Sequence, residues 1–460
     1  MNQKRYFISG TICLTAVGLL TRIAGFFYKI FLSRTIGAAQ IGLFQLSMPV
    51  YAFFLAFACG GIQTAVSRFS AEYHAKKETR SEYLLLLFGI TFSEGLALFC
   101  SFLLYQYSDW IALHILLESR CAVLLRILSV SLPFCVLHSC LMGYFTGRKK
   151  IAASALSQLL EQLFRIGCAF FYYALFSGSG QEMNAAIMAL GQLCGELAAA
   201  LYSLLYLLLR FLPDAPFRIS LPKSPGKNWS RSFSAPLSRI AIPLLSVSVP
   251  LSLNRLLVCI LQAIEAALLP QKLQIFGYSA KEALSVYGTL TGMSLPLILF
   301  PTAITSALGT LLLPSVSEAY ALQKHKQITT AVKTCFYGSL SLGSLFFLTF
   351  LIGGSQIGSL LFHSPLAGSY LQQLALICPF LYLHTTMTSI IHGIGKSSLL
   401  FIWNMIGFSI RLCSVFFFVP RYGLTAYLCG MILNQVFLSF CTTFLLILHP
   451  SWKKNPSSGS

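Results

Sequence analysis

Apolar runs of roughly twenty residues follow one another along nearly the whole chain, with short polar segments between them. Each run is about as long as an α-helix must be to cross a bilayer. The pattern predicts an all-α, polytopic membrane protein with about 12 transmembrane helices. They are placed at 6–33, 41–66, 83–107, 121–146, 151–176 and 184–210, then 239–269, 284–313, 328–352, 368–392, 398–419 and 423–448. A transmembrane β-barrel is excluded, because its strands would be about half this length and would alternate in polarity.

The polar segments are not equivalent. Lys4 and Arg5, the cluster Arg68, Lys76, Lys77 and Arg80, the run Arg148 to Lys150, and Arg218 to Arg231 fall in every second connection. Lys324, Lys326, Lys396, Lys453 and Lys454 continue the series, while the alternate connections hold only Arg34, Arg120, Lys272, Lys281 and Arg421. Cytoplasmic segments carry the excess of Lys and Arg, so both termini are expected on the cytoplasmic side of the cell membrane. The first run follows Lys4 and Arg5, is too long for a signal peptide and lacks a small-residue cleavage site, so it reads as an uncleaved span. The longest polar segment, Pro213–Ser238, is basic and rich in Pro and Ser. The domains expected are an N-terminal six-helix lobe (1–212), a basic cytoplasmic linker (213–238), a C-terminal six-helix lobe (239–450) and a cytoplasmic tail (451–460).

Composition sharpens this. Of 460 residues, 56% are hydrophobic and only 10% charged, and the mean hydropathy is +0.75. The net charge of +19 is mostly the topology signal. It suits anionic lipid headgroups and does not point to nucleic acid. Nearly all of the fourteen cysteines lie inside apolar runs, where they act as small hydrophobes. No CxxC pair occurs, and Cys135, His138 and Cys140 lack a fourth ligand, so neither a metal nor a cofactor is expected.

The two halves repeat. A constant offset aligns Ser47 with Ser294, Pro49 with Pro296, Ser70 with Ser317, Tyr73 with Tyr320 and Lys77 with Lys324. Both segments run from outside to inside, the pattern of a parallel repeat about the membrane normal.

Charges inside the spans are the candidate chemistry. A cation at mid-bilayer costs roughly 2.5–3.5 kcal/mol on insertion scales, and such residues face a bundle interior or a wet cavity. Arg22 and Lys29 share one helix face, about 10 Å apart along the axis, a spacing suited to an extended anion such as a diphosphate. Arg22, Lys29, Arg255, Arg165, Arg411 and Asn254 are therefore the candidate substrate-binding residues. Glu161, Glu196, Glu265 and Glu94 fit counter-ions and proton or sodium sites alike. Lys29, Arg34 and Arg126 approach span ends and can snorkel. No residue reads as catalytic.

The stretch TRIAGFFYKIFLSRTIGAAQIGLFQLSMPVY, with LNRLLVCILQAIEAALLPQKL and SALGTLLLPSVSEAYA in the second half, resembles the family of stage V sporulation protein B and the polysaccharide exporters. That family lies within the superfamily of multidrug extruders, oligosaccharide-lipid flippases and lipid II flippases. The resemblance implies two six-helix lobes around a cavity, alternating access, and an undecaprenyl-diphosphate-linked saccharide as substrate. Arg22 and Arg34 look like first-span arginines of the lipid II flippase branch, but Tyr28, Leu43 and Leu290 stand where that branch has charged residues. The expected function is a flippase for a peptidoglycan, spore-cortex or polysaccharide precursor, with lipid-linked saccharide, membrane lipids and cell-wall synthesis proteins as partners. The alternatives are a cation-coupled multidrug antiporter, which would want an acidic cavity, and a non-transporting scaffold for cell-wall synthesis. An enzyme is not expected, because the outer connections are short and poor in acids.

Overall fold

The computed structural model describes residues 2–176, 184–210 and 229–448. The expected tail (451–460) and most of the linker lie outside them. The final part of the expected linker, 229–238, instead forms the first turns of a long helix.

Every regular element among the described residues is helical. The helices are α1 (Asn2–Thr35), α2 (Gly37–Cys59), α3 (Ile62–Ala75), α4 (Thr79–Gln106), α5 (Cys121–Gly147), α6 (Ile151–Phe176) and α7 (Ala186–Arg210). Then come α8 (Trp229–Phe276), α9 (Ala280–Gly288), α10 (Thr302–Ala321), α11 (His325–Phe362), α12 (Pro365–Leu374), α13 (Ile377–Gly393), α14 (Ser397–Cys413) and α15 (Leu424–Leu448). Among the described residues, nine segments are long and apolar enough to cross a membrane, and the bent pair α12–α13 makes ten. The cation-bearing α1 and the interrupted rod from α9 to α10 complete the twelve. Ile352 and Leu360 are each 73% exposed, as a lipid-facing surface requires and an aqueous one would penalise. The chain is a multi-pass membrane protein.

Several spans are less regular than the sequence suggests, for identifiable reasons. The second breaks at Gly60–Gly61 between α2 and α3. The eighth widens into i→i+5 turns over Thr289–Ser294, just ahead of Pro296, and breaks again at Phe300–Pro301. The tenth bends by 60° between α12 and α13. Pro379 lacks the N–H that would bond Ala375, and its ring crowds that carbonyl, so the helix cannot run through Ala375–Leu376. The ninth runs past its expected end at 352 to Phe362. Its Gly354 and Gly358 pack against Gly368 of α12: a Cβ on Gly358 would lie 2.3 Å from the Gly368 nitrogen. Close backbone packing through small residues stabilises a helix that glycine propensity alone would end.

Two compact units emerge, one of residues 1–25 and 46–263, the other of 26–45 and 264–460. The division falls elsewhere than the linker at 213–238. The reason is helix continuity: α1 and α8 are long enough, at 34 and 48 residues, that each gives one end to each unit.

The units are built alike. In the first, α5 is the central helix, with Leu125, Leu128, Leu132, Leu141, Tyr144 and Phe145 fully buried; it packs on α3, α4 and α7. In the second, α13 is central, burying Leu383, Met387, Ile390 and Ile391, and packs on α10, α11 and α15. Spans four and ten thus contact corresponding neighbours, as a parallel repeat demands. The paired Ser47 and Ser294 are both completely buried.

Candidate functional site

Arg22 lies in the middle of α1 and is exposed; among the described residues it faces no carboxylate within ion-pair distance. Its helix is close to α6 at the next turn, where a Cβ on Gly25 would come 3.2 Å from the Gln162 side chain. Lys29 is half-buried and falls in the second unit, because the contact division crosses α1 between Gly25 and Phe26. Asn254 and Arg255 are both exposed on α8. Arg22, Asn254 and Arg255 therefore share the first unit. Arg255 donates from Nη1 to the Gly60 carbonyl at 3.1 Å, and the Gly61 N–H donates to Ser252 Oγ at 2.9 Å. The break in span two strips backbone groups of their helical partners, and α8 supplies replacements one turn apart.

The buried acids and the other two arginines form two separate centres. In the first unit, Ser157, Glu161 and Arg165 share a face of α6 at i, i+4 and i+8, while Gln192 and Glu196 share one of α7. Arg165 pairs with Glu161 and donates from Nη1 to Gln162 Oε1 at 3.2 Å. His138 of α5 enters between: its Nδ1 is 3.5 Å from Glu196 Oε2 and 4.0 Å from Glu161 Oε2, and its Nε2 bonds Ser157 Oγ at 2.8 Å. Gln192 Nε2 donates to Glu196 Oε1 at 2.9 Å. The sequence reads His138, with Cys135 and Cys140, as a packing residue; in the structure the histidine meets two glutamates from other helices.

In the second unit, Glu265 of α8 is buried and accepts from Arg411 Nε of α14 at 2.8 Å and from the Tyr427 hydroxyl of α15 at 2.8 Å. Arg411 Nη2 also donates to Tyr427 Oη at 3.1 Å. Arg165 and Arg411, on spans five and eleven, thus hold corresponding places in the repeat, and each is tied to a carboxylate. Glu94 joins neither centre; its Oε1 is buried without a hydrogen-bond partner.

Two of the cations expected to snorkel at span ends, Arg34 and Arg126, are held by protein. Arg34 donates to the Leu361 carbonyl at 2.9 Å and the Leu360 carbonyl at 2.6 Å, closing the C-terminus of α11 where the helix dipole attracts a cation. Arg126 bonds Ser108 Oγ at 3.0 Å and pairs with Asp109. Sequence reasoning missed Glu82. It is 1% exposed, ion-pairs with Arg148 Nε at 3.1 Å and accepts from Ser70 Oγ at 3.1 Å, tying α3 and α4 to the end of α5 in the first unit. Arg148 had counted only as a topology charge. Its setting beside Ser70, a position aligned by the repeat, was the available signal.

Membrane-spanning helices in two like units, with charged side chains held inside the spans, define a polytopic helical membrane protein. Solved structures agree on the fold. An inward-facing multidrug resistance MATE family transporter of the MOP superfamily superposes with a TM-score of 0.72 at 15% identity, over 95% of this chain and 97% of that one. A MOP superfamily transporter from Pyrococcus furiosus, described as having a binding pocket of reversed polarity, gives 0.64 at 16% identity, over 98% and 97%. The chain belongs to the polysaccharide biosynthesis protein family, whose sequence profile matches residues 7–320. Among curated relatives, stage V sporulation protein B of Bacillus subtilis is 25% identical over 91% of this chain and 79% of its own length. The lipid II flippase MurJ of the same organism is 23% identical over 88% and 76%.

Proposed function

We propose that this protein is a flippase that carries an undecaprenyl-diphosphate-linked saccharide, a peptidoglycan, spore-cortex or polysaccharide precursor, across the cytoplasmic membrane by alternating access of two six-helix lobes. One observation carries the reading: Arg22, a costly charge in the middle of a membrane helix, is exposed and has no carboxylate partner among the described residues. A cation so placed wants an anion from elsewhere. Arginine presents a rigid fork of donors matched to phosphate oxygens. Arg255 gives one nitrogen to Gly60 and keeps the rest of its fork, and Asn254, beside it on α8, adds an amide. Arg165 and Arg411 are ion-paired, and in this reading they set the helices rather than grip the diphosphate. Relatives named as a lipid II flippase and a sporulation protein support the substrate class. Both termini lie in the cytoplasm, and no chemistry is performed on the substrate.

Reconstitution into vesicles with labelled undecaprenyl-diphosphate saccharides tests this. Protein-dependent exposure of label in the opposite leaflet, lost in Arg22→Ala, is the expected result. Full exposure by a well-expressed Arg22→Ala, Arg255→Ala double variant would overturn it. A scaffold would give no exposure at all. A multidrug antiporter would move organic cations instead.

A further inference from the structure

Three potential ligand atoms in the first unit converge. His138 Nδ1, Glu161 Oε2 and Glu196 Oε2 all lie within 4.8 Å of one another. The other donor atom of each side chain is occupied: His138 Nε2 by Ser157, Glu161 Oε1 by Arg165, and Glu196 Oε1 by Gln192. These outer partners fix the rotamers so that the inner atoms point at a common centre. Glu196 is only 5% exposed, and its Oε2 has no hydrogen-bond partner. Two carboxylate oxygens held together in the membrane, one of them fully desolvated, repel unless something positive lies between them.

A single proton on Nδ1 serves this poorly. It would have to reach oxygens at 3.5 and 4.0 Å, both beyond or at the limit of a hydrogen bond. The spacing suits a metal better. Ligands about 2.1 Å from a tetrahedral ion stand about 3.4 Å apart, so the two separations from His138, 3.5 and 4.0 Å, need a contraction of about 0.6 Å or less, and the separation between the carboxylates, within 4.8 Å, needs at most about 1.4 Å. With Arg165 paired to Glu161, two carboxylates, a neutral imidazole and a divalent ion leave a net charge of only +1, and a mixed nitrogen and oxygen donor set suits first-row transition cations. Ser157, bonded onward to Ser203 Oγ at 2.9 Å, is the outer-shell partner that a metal-bound histidine characteristically has.

We propose that His138, Glu161 and Glu196 form an intramembrane binding site for a divalent first-row transition cation such as Zn²⁺, with a fourth position open. The proposal does not depend on the flippase reading.

The test uses the purified, chelator-treated full-length protein, titrated with Co²⁺ and then with Zn²⁺. One Co²⁺ per chain, with ligand-field absorption displaced by Zn²⁺, is expected. His138→Gln and Glu196→Gln should abolish saturable binding. Ser157→Ala should weaken it about 10–100-fold, and Cys135→Ser should leave it unchanged. Absence of one-to-one binding by the unaltered protein, or its persistence in both His138→Gln and Glu196→Gln, overturns the proposal. So does a pH-dependent proton uptake with no metal saturation. X-ray absorption of the Zn²⁺-loaded unaltered protein reads the ligands even if a variant fails to fold. Imidazole and oxygen donors are expected, and sulfur donors would refute the site.

Discussion

Arg255 donates to the carbonyl of Gly60, 3.1 Å away, across 195 residues of sequence. This contact binds the opening helix of the second half of the chain to the break in span two. Arg255 therefore has two tasks, satisfying a bared carbonyl and presenting the rest of its guanidinium. The neighbouring Ser252, which accepts from Gly61 at 2.9 Å, has only the first. Ser252→Ala should cost about 1 kcal/mol of stability and keep transport. Arg255→Ala should lose transport in membranes that hold normal amounts of protein. Equal transport by the two variants in the vesicle assay would assign Arg255 to structure alone.

The Glu265–Arg411–Tyr427 centre predicts a strong thermodynamic coupling. Arg411→Gln leaves a buried carboxylate uncompensated, a loss of about 3–5 kcal/mol. Removing both charges, as in Glu265→Gln with Arg411→Gln, should recover most of it. Thermal unfolding of the two single variants and the double variant in detergent gives the cycle; additive effects would show that the pair does not interact.

Arg34 should separate stability from transport. Arg34→Ala removes the two bonds that close α11 at Leu360 and Leu361. Because the guanidinium is exposed, the loss should be about 1 kcal/mol. Denaturation midpoints should fall slightly while saccharide flipping is retained. Loss of flipping at unchanged stability would move Arg34 into the substrate path.

Close helix crossing in the second unit has its own signature. A Cβ on Gly288 of α9 would lie 2.0 Å from the Ala38 carbonyl oxygen of α2, a contact between backbones that no flexible side chain can relieve. Gly288→Ala should cost about 1–3 kcal/mol, visible as a lower unfolding temperature, whereas Gly277→Ala, with open space around it, should suffer only the strain of its positive φ.

Orientation is testable by cysteine labelling in a cysteine-free background. Ser119 lies in the exposed connection before α5, and Glu78 in the exposed turn before α4. With both termini cytoplasmic, Ser119→Cys should label in intact cells and Glu78→Cys only after permeabilisation. The reverse pattern would invert the topology. His363→Cys, in the turn after α11, should label with Ser119→Cys under the same orientation. Ser355, which the sequence places in a loop, is inside that helix.

Hydrophobic patterning alone determined that the chain is a helical membrane protein of about twelve spans. Twenty apolar residues have one stable use, and the backbone must satisfy itself within lipid. The repeat was also legible, because polar residues such as Ser47 and Ser294 stand out at one register in apolar text. The intramembrane charges were legible for the same reason, since each is rare and expensive. Their partners were not. Glu161 and Arg165 are one turn apart and could be paired on paper. Glu265 is 146 residues from Arg411, and His138 finds Glu196 through the packing of α5 on α7. Helical periodicity fixes which side chains share a face, but which faces meet depends on how helices cross. The tertiary structure alone decided that Arg165 and Arg411 are neutralised, that Arg22 is left exposed, and that α1 and α8 each serve both compact units.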